Sequence, residues 1–148
     1  MEARVRWLDG ASFVAETGSG HAIVIDGPPD IGGRNIGPRP MELILLGVGS
    51  CSNVDVIHIL KRARQNVVDC DVRVTAERAE TDPKVFTAIH LQFTVTGHEM
   101  KAAQVERAVK LSAEKYCSAS LMLQATVKIT HACDIVDLGP APAVHAQE

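Results

Sequence analysis

The sequence predicts a small α+β domain, and three observations carry that prediction. After Pro40 comes a long stretch without proline, apolar nearly all round in its early half, which reads as a buried central helix. On both sides of it apolar and polar residues alternate at strand spacing. Turn signals separate the segments, at Asp9-Gly10-Ala11, Gly27-Pro28-Pro29 and Thr81-Asp82-Pro83-Lys84.

The first element is an N-terminal β-meander with strands over residues 3–8, 12–17 and 21–26, punctuated by Asp9-Gly10-Ala11 and Gly18-Ser19-Gly20. A Gly- and Pro-rich loop leads to Pro38-Arg39-Pro40, and proline is a permitted start for the helix over residues 41–64. Leu43, Ile44, Leu45, Leu46, Val48, Val54, Val56, Ile57, Ile59 and Leu60 leave that helix without a polar face in its early turns. It is therefore covered by its surroundings or by a partner subunit. Gly47 and Gly49 each cost the helix about 1 kcal/mol against Ala, and close approach of another backbone is the expected compensation. Lys61-Arg62-Ala63-Arg64 places cations at the helix end, where its dipole favours them.

A β-hairpin with one wet face follows. Cys70, Val72, Val74 and Ala76 form the apolar series of its first strand, and Val85, Ile89, Leu91, Phe93 and Val95 that of its second. Val105, Ala108, Val109, Ser112 and Tyr116 then mark a second helix over residues 102–116. A short third helix over 119–124 and a C-terminal strand over 126–136 complete the domain. A single domain spans residues 1–138, and residues 139–148, with two prolines in the first four, read as a flexible tail.

Composition narrows the function. A chain of 148 residues with 46% hydrophobic content suits one compact core. Aromatic residues are only 3%, so the stacking platforms of single-strand binders are missing, and a net charge of −3 gives no pull toward nucleic acid or anionic membranes. The start, Met1-Glu2-Ala3-Arg4-Val5-Arg6, has no apolar segment behind a basic one, and the strongest apolar run, residues 43–48, is too short to span a bilayer. A cytoplasmic setting is expected. There a disulfide is more often transient and catalytic than structural.

The chemistry then rests on cysteines. Positions 51, 70, 117 and 133 include no C-x-x-C pair, so neither a zinc site nor a cofactor is expected. Cys51, in Gly47-Val48-Gly49-Ser50-Cys51-Ser52, is either a small core hydrophobe or a nucleophile, and the second role needs a cation or helix N-terminus nearby. Cys117 ends one helix, and Ser118 is placed to cap the next. Packing and reactivity are equally open for it. Cys70 and Cys133 lie on the apolar sides of strands and are read as core. His131 shares a strand face with Cys133 but suggests no further ligand, and no phosphate-binding loop or serine-nucleophile motif is present.

Taken together, Pro40-Met41-Glu42-Leu43, Gly49-Ser50-Cys51 on a buried helix and Ser112-Ala113-Glu114-Lys115-Tyr116-Cys117 on a second resemble the OsmC/Ohr family. Val67-Val68-Asp69-Cys70 and Glu114-Lys115-Tyr116-Cys117-Ser118 are similar to its YhfA-like branch. The resemblance covers residues 1–136. It implies an OsmC-like fold in an intertwined homodimer with active sites at the subunit interface. It also implies a thiol-dependent organic hydroperoxide reductase in which Cys51 attacks the peroxide, Cys117 resolves the product as a disulfide, and a dithiol restores both. The alternative within the same fold is a non-enzymatic dimer that binds a small ligand or senses redox state.

Two departures stand out. In peroxidase members a Glu directly follows the helix proline, whereas here Met41 takes that place and Glu42 comes one later. At about 100° per residue, Glu42 and Cys51 fall on opposite faces of a regular helix. Glu42 is thus the weakest of the three candidate catalytic residues. The arginine that partners the thiolate in those members has four candidates, Arg4, Arg6, Arg34 and Arg39, none in a matching motif.

Overall fold

A computed structural model describes residues 1–142, which form two compact units divided between Leu45 and Leu46. The first unit contains strands β1 (Ala3–Asp9), β2 (Ser12–Thr17) and β3 (Ala22–Asp26), antiparallel in the order β1-β2-β3. This is the expected meander. The turn at Gly10 needs glycine twice over: φ is +52°, and a Cβ there would lie 2.8 Å from the Gly32 carbonyl oxygen.

The loop after β3, which includes a 3₁₀ turn at Pro29–Ile31, is organised by Asp26. This carboxylate is fully buried. Its Oδ1 accepts from Ser12 Oγ and Gly27 N at 3.0 and 2.9 Å, and its Oδ2 from Arg34 N and Ile36 N at 2.7 and 3.2 Å. Burial alone would raise its pKa, but these donors outweigh it and hold the carboxyl below its usual range.

Helix α1 (Pro40–Arg62) begins in the first unit and continues through the second. Glu42 is in its first turn and accepts from Arg39 N at 2.9 Å, so this carboxylate caps the helix. With a mean hydropathy of 1.7 over its most apolar window, α1 is long and apolar enough to cross a bilayer, a length the run 43–48 did not suggest. Its middle nevertheless carries Ser50, Cys51, Ser52, Asn53 and Asp55, and its buried stripe is Val48, Gly49, Ser52, Val56 and Leu60. That stripe belongs to a protein core.

In the second unit, β4 (Asn66–Arg78) and β5 (Phe86–His98) form the hairpin, and β6 (Lys128–Asp137) adds parallel to β5. A parallel neighbour requires a crossover. Here α2 (Ala102–Leu111), a π-helical turn (Ser112–Tyr116) and α3 (Ser118–Leu123) supply it. Val56, Leu60, Cys70, Leu91, Phe93, Val95, Val105, Ala108 and Val109 make the continuous core.

Several expectations shift in detail. Val85 does not join the apolar face of β5 and is 53% exposed; Phe86 is buried instead. The pairing jumps from Glu77–Ala88 to Arg78–Phe86, so Thr87 is a bulge residue that reverses the alternation. The glycines of α1 do not face another backbone. A Cβ on Gly49 would lie 2.8 Å from Val74 Cγ2, a side chain of β4, and one on Gly47 would meet nothing within 4 Å. The second helix stops at Leu111, and the remaining turn is wider. At the C-terminal end Leu138 N bonds Gly97 O at 2.8 Å, and Gly139 is held by Asp137 and His98 at 3.0 and 3.1 Å, so the segment read as a tail is anchored at its start. Residues 143–148 of it lie outside those described.

Asp26 gives the first prediction. A carboxyl with a depressed folded pKa contributes stability above its unfolded value, and that contribution is lost as pH falls through the folded one. The parent protein is therefore expected to lose stability steeply below about pH 4, the unperturbed Asp range. Asp26→Asn, measured by urea unfolding across pH 2–7, should be less stable at neutral pH and show a flatter acid limb.

Candidate dithiol site

The site forms where α1 meets the π-helical turn and α3. Cys51 sits midway along α1, half-buried, while Cys117 is fully buried just before α3. A donor–acceptor chain of serines joins the two segments. Ser112 Oγ donates to the Ser52 carbonyl at 3.0 Å, and Ser52 Oγ and Ser120 Oγ lie 3.4 Å apart. All three serines are at most 1% exposed. Their hydroxyls replace apolar groups on stripes that otherwise read as core, and burial makes those bonds costly to leave unmade.

The π-helical turn brings the chain to Cys117, whose N–H bonds the Ser112 carbonyl at 2.9 Å. A π turn holds one more residue than an α turn, so it changes the phase in which the next residue leaves the helix. Cys117 is itself the cap of α3: its Sγ accepts from Ser120 N at 3.4 Å. The expected cap, Ser118, is instead the first residue of α3. Cys117 Sγ also donates to the Val48 carbonyl, at 3.9 Å.

Cys51 Sγ, Cys117 Sγ and a carboxylate oxygen of Asp55 all lie within 4.8 Å of one another. Asp55 follows Cys51 by one helical turn, so both project from the same face of α1. Its Oδ2 is buried and has no hydrogen-bond partner among the described residues. An open hollow lined by Asp55, His58, Ile59, Arg62, Leu111 and Tyr116 adjoins the cluster through Asp55.

The two thiols differ in acidity. Burial pushes the Cys51 thiol up; the Ala119 backbone N–H opposes this, and the neighbouring Cys117 and Asp55 reinforce it. Burial acts against the Cys117 thiolate too, but the Ser120 and Ser52 hydroxyls, the Ser120 N–H and Cys51 outweigh it, and its pKa is lowered. Cys70 is pushed up to about 11 by burial and by Asp69 and Asp71. Cys133 is raised by burial and by Glu106 and Asp134. Neither of these two has the surroundings of a reactive thiol.

The structure therefore brings together Cys51 and Cys117 and adds Asp55, Ser52, Ser112 and Ser120, which sequence reading missed. Asp55 was signalled by its one-turn offset from Cys51, and the serines by their places on apolar stripes. Of the other candidates, Glu42 is occupied at the helix start. Arg6 lies 3.9 Å from Glu16 and Arg34 lies 3.6 Å from Asp9.

A family model described as OsmC-like protein matches residues 32–132, which contain both thiols. Protein YhfA of Escherichia coli K12 is 50% identical over 136 residues, covering 92% of this chain and 98% of that protein. The chain belongs to the OsmC-like family. Among solved structures, a hypothetical protein from Aquifex aeolicus VF5 superposes on this OsmC-like chain with a TM-score of 0.77 at 34% identity, covering 92% of this chain and 97% of the other. An organic hydroperoxide resistance protein OsmC from Legionella pneumophila shares the fold with a TM-score of 0.68 at 19% identity, covering 93% and 96%.

The serine chain predicts a coupled effect on stability and chemistry. Ser112→Ala in this OsmC-like protein should lower stability by about 1 kcal/mol, the worth of one hydrogen bond. It should also slow oxidant-driven formation of a Cys51–Cys117 disulfide, because the turn carrying Cys117 loses its peg on α1. Ser19→Ala, which removes only local turn contacts to Thr17 and His21, is the control. Thermal melts and thiol counting after diamide treatment measure both quantities.

Proposed function

We propose that this OsmC-like chain is a thiol-dependent organic hydroperoxide reductase. The observation that carries the reading is the approach of the two sulfurs to within 4.8 Å, on separate segments and with no bond between them. Cys51 is the more accessible thiol and meets the peroxide. Its sulfur forms an S–O bond as the O–O bond breaks, and the thiol proton goes to the departing alkoxide, giving Cys51 sulfenic acid and an alcohol. The Cys117 thiolate then attacks that sulfur. The S–S bond forms, hydroxide leaves, and a proton makes it water. An external dithiol is oxidised to its own disulfide and returns both thiols.

The acidity difference supports this division of labour. Thiol–disulfide exchange is fastest when the attacked sulfur is accessible and the departing thiol is acidic. A reductant that attacks Cys51 expels Cys117, whose thiolate is held by Ser120 and Ser52. A reducing compartment suits this cycle, which favours the cytoplasm.

A second reading, a non-enzymatic dimer that senses redox state or binds a small ligand, is favoured by the raised pKa of Cys51 and by Met41 at the carboxylate position. Steady consumption of cumene hydroperoxide with excess dithiol separates the two. On the reductase reading the parent protein turns over, Cys51→Ser consumes none, and Cys117→Ser stops after about one equivalent. Oxidation that halts after one equivalent in the parent protein would favour the sensor.

Both readings place the chain in a homodimer. Leu46, Gly47, Ser50, Val54 and His58 form an exposed stripe on α1, with Leu46 60% and Val54 67% exposed, and nothing lies within 4 Å of a Cβ built on Gly47. Small and aliphatic residues at helical spacing make a seat for a second helix. In β1, Val5 and Trp7 are 60% and 68% exposed, apolar surface suited to burial by a second subunit. Light scattering is expected to give twice the chain mass for the parent protein and a monomer for Leu46→Glu.

A further inference from the structure

We propose that the reduced site binds a thiophilic divalent cation of the zinc type, held by Cys51 Sγ, Cys117 Sγ and the Asp55 carboxylate. The proposal uses the thiols of the reductase reading but does not require peroxide turnover.

The three donor atoms already lie within 4.8 Å of one another. Zinc bonds of about 2.0–2.3 Å in tetrahedral array separate their ligands by roughly 3.3–3.8 Å. Closing from 4.8 Å to that spacing is a change of about 1–1.5 Å. Cys51 and Asp55 share one helix face, and the buried serines fix the segment bearing Cys117 against that face.

The donor set sets the kind of metal. Two thiolates and one carboxylate bring three negative charges and mixed soft and hard atoms. They exclude magnesium and calcium, which require oxygen-rich shells, and suit Zn²⁺ or Co²⁺. Three protein ligands leave a fourth position for water, the arrangement of reactive zinc sites rather than closed structural ones.

Asp55 supplies the independent observation. A carboxylate oxygen buried without a donor calls for a specific explanation, such as an ion or an ordered water. Two thiols and a carboxylate gathered within 4.8 Å concentrate negative charge once ionised, and a dication offsets it. The outer shell is partly in place: Ser120 N–H orients the Cys117 sulfur and Ala119 N–H favours the Cys51 thiolate. The missing C-x-x-C pair pointed away from zinc, but the fold draws its ligands from two distant stretches, which spacing along the chain does not reveal.

Binding releases the two thiol protons to solvent and involves no electron transfer. Oxidation to the Cys51–Cys117 disulfide removes two ligands, so peroxide should eject the metal.

Cobalt titration of the reduced, chelator-treated full-length protein tests this. One Co²⁺ per chain is expected, with thiolate-to-cobalt charge-transfer absorption in the near ultraviolet that Zn²⁺ abolishes. Cys51→Ser and Cys117→Ser should each lose most of that absorption, Asp55→Asn should weaken binding about tenfold or more, and peroxide should release the ion. Far-UV circular dichroism checks that the variants are folded, and Asp55→Glu should retain more affinity than Asp55→Asn. Absence of the charge-transfer band in the reduced parent protein, or equal affinity in folded Asp55→Asn, would overturn the proposal. Peroxide consumption by the same metal-free sample is read alongside. Consumption without cobalt binding removes the metal site and leaves the reductase; cobalt binding without consumption does the reverse.

Discussion

The hydrogen bond from Ser112 Oγ to the Ser52 carbonyl is the constraint on which the site depends. Cys51 and Cys117 belong to different segments, and no covalent link holds them in place. The end of α2 could be fastened to α1 by apolar packing alone, but packing is non-directional and tolerates sliding. A buried hydroxyl bonded to a particular carbonyl admits one register. The pair Ser52 and Ser120 adds a second point on the same line. Two points fix an angle as well as a distance, and the angle determines where the Cys117 sulfur points.

From that fixed angle the two sulfurs acquire unlike properties. Cys117, wholly buried, would be the weaker acid on burial alone. Its capping position reverses the outcome, because Ser120 and Ser52 supply donors where water cannot. Cys51 is more exposed but faces Asp55 and Cys117, and its pKa rises. Access and acidity are thus assigned to different atoms. A single reactive cysteine needs both at once; a dithiol pair does not, since attack calls on access and departure calls on acidity. At Cys70 and Cys133 burial comes first and neighbouring carboxylates add to it, so both thiols are raised.

The legible part of the sequence was the part governed by periodicity. The meander, α1, the hairpin and β6 follow from alternation and helical spacing, each bounded by Gly or Pro. What periodicity could not carry lay at its interruptions. Thr87 reads like any strand residue, yet as a bulge it moves Phe86 inward and Val85 outward. The π turn after Leu111 is invisible because Val105, Ala108, Val109 and Ser112 keep perfect α spacing up to it. The sequence points to Ser118 as the cap, because serine is the commoner cap and sulfur a weak acceptor, whereas Cys117 holds that place. Asp55 reads along the chain as an ordinary polar residue, since nothing in the sequence places residue 117 beside it.

The all-round apolarity of α1 also resolves into two surfaces. Val48, Gly49, Ser52, Val56 and Leu60 repeat at helical spacing on the buried side, where Gly49 admits Val74 of β4. Leu46, Gly47, Ser50, Val54 and His58 repeat in the same way on the exposed side. The two glycines are two residues, and so about 200°, apart around the axis, and each belongs to a different stripe. Gly49 is explained within one chain. Gly47 is not: with open space around it, alanine would fit and would favour the helix by about 1 kcal/mol. On the dimeric reading that cost is offset by a second α1 packing closely against Gly47. On that reading α1 buries both sides and has no face left for charge, which is why its apolar half resembles a membrane span in composition while its central polar residues line the candidate dithiol site.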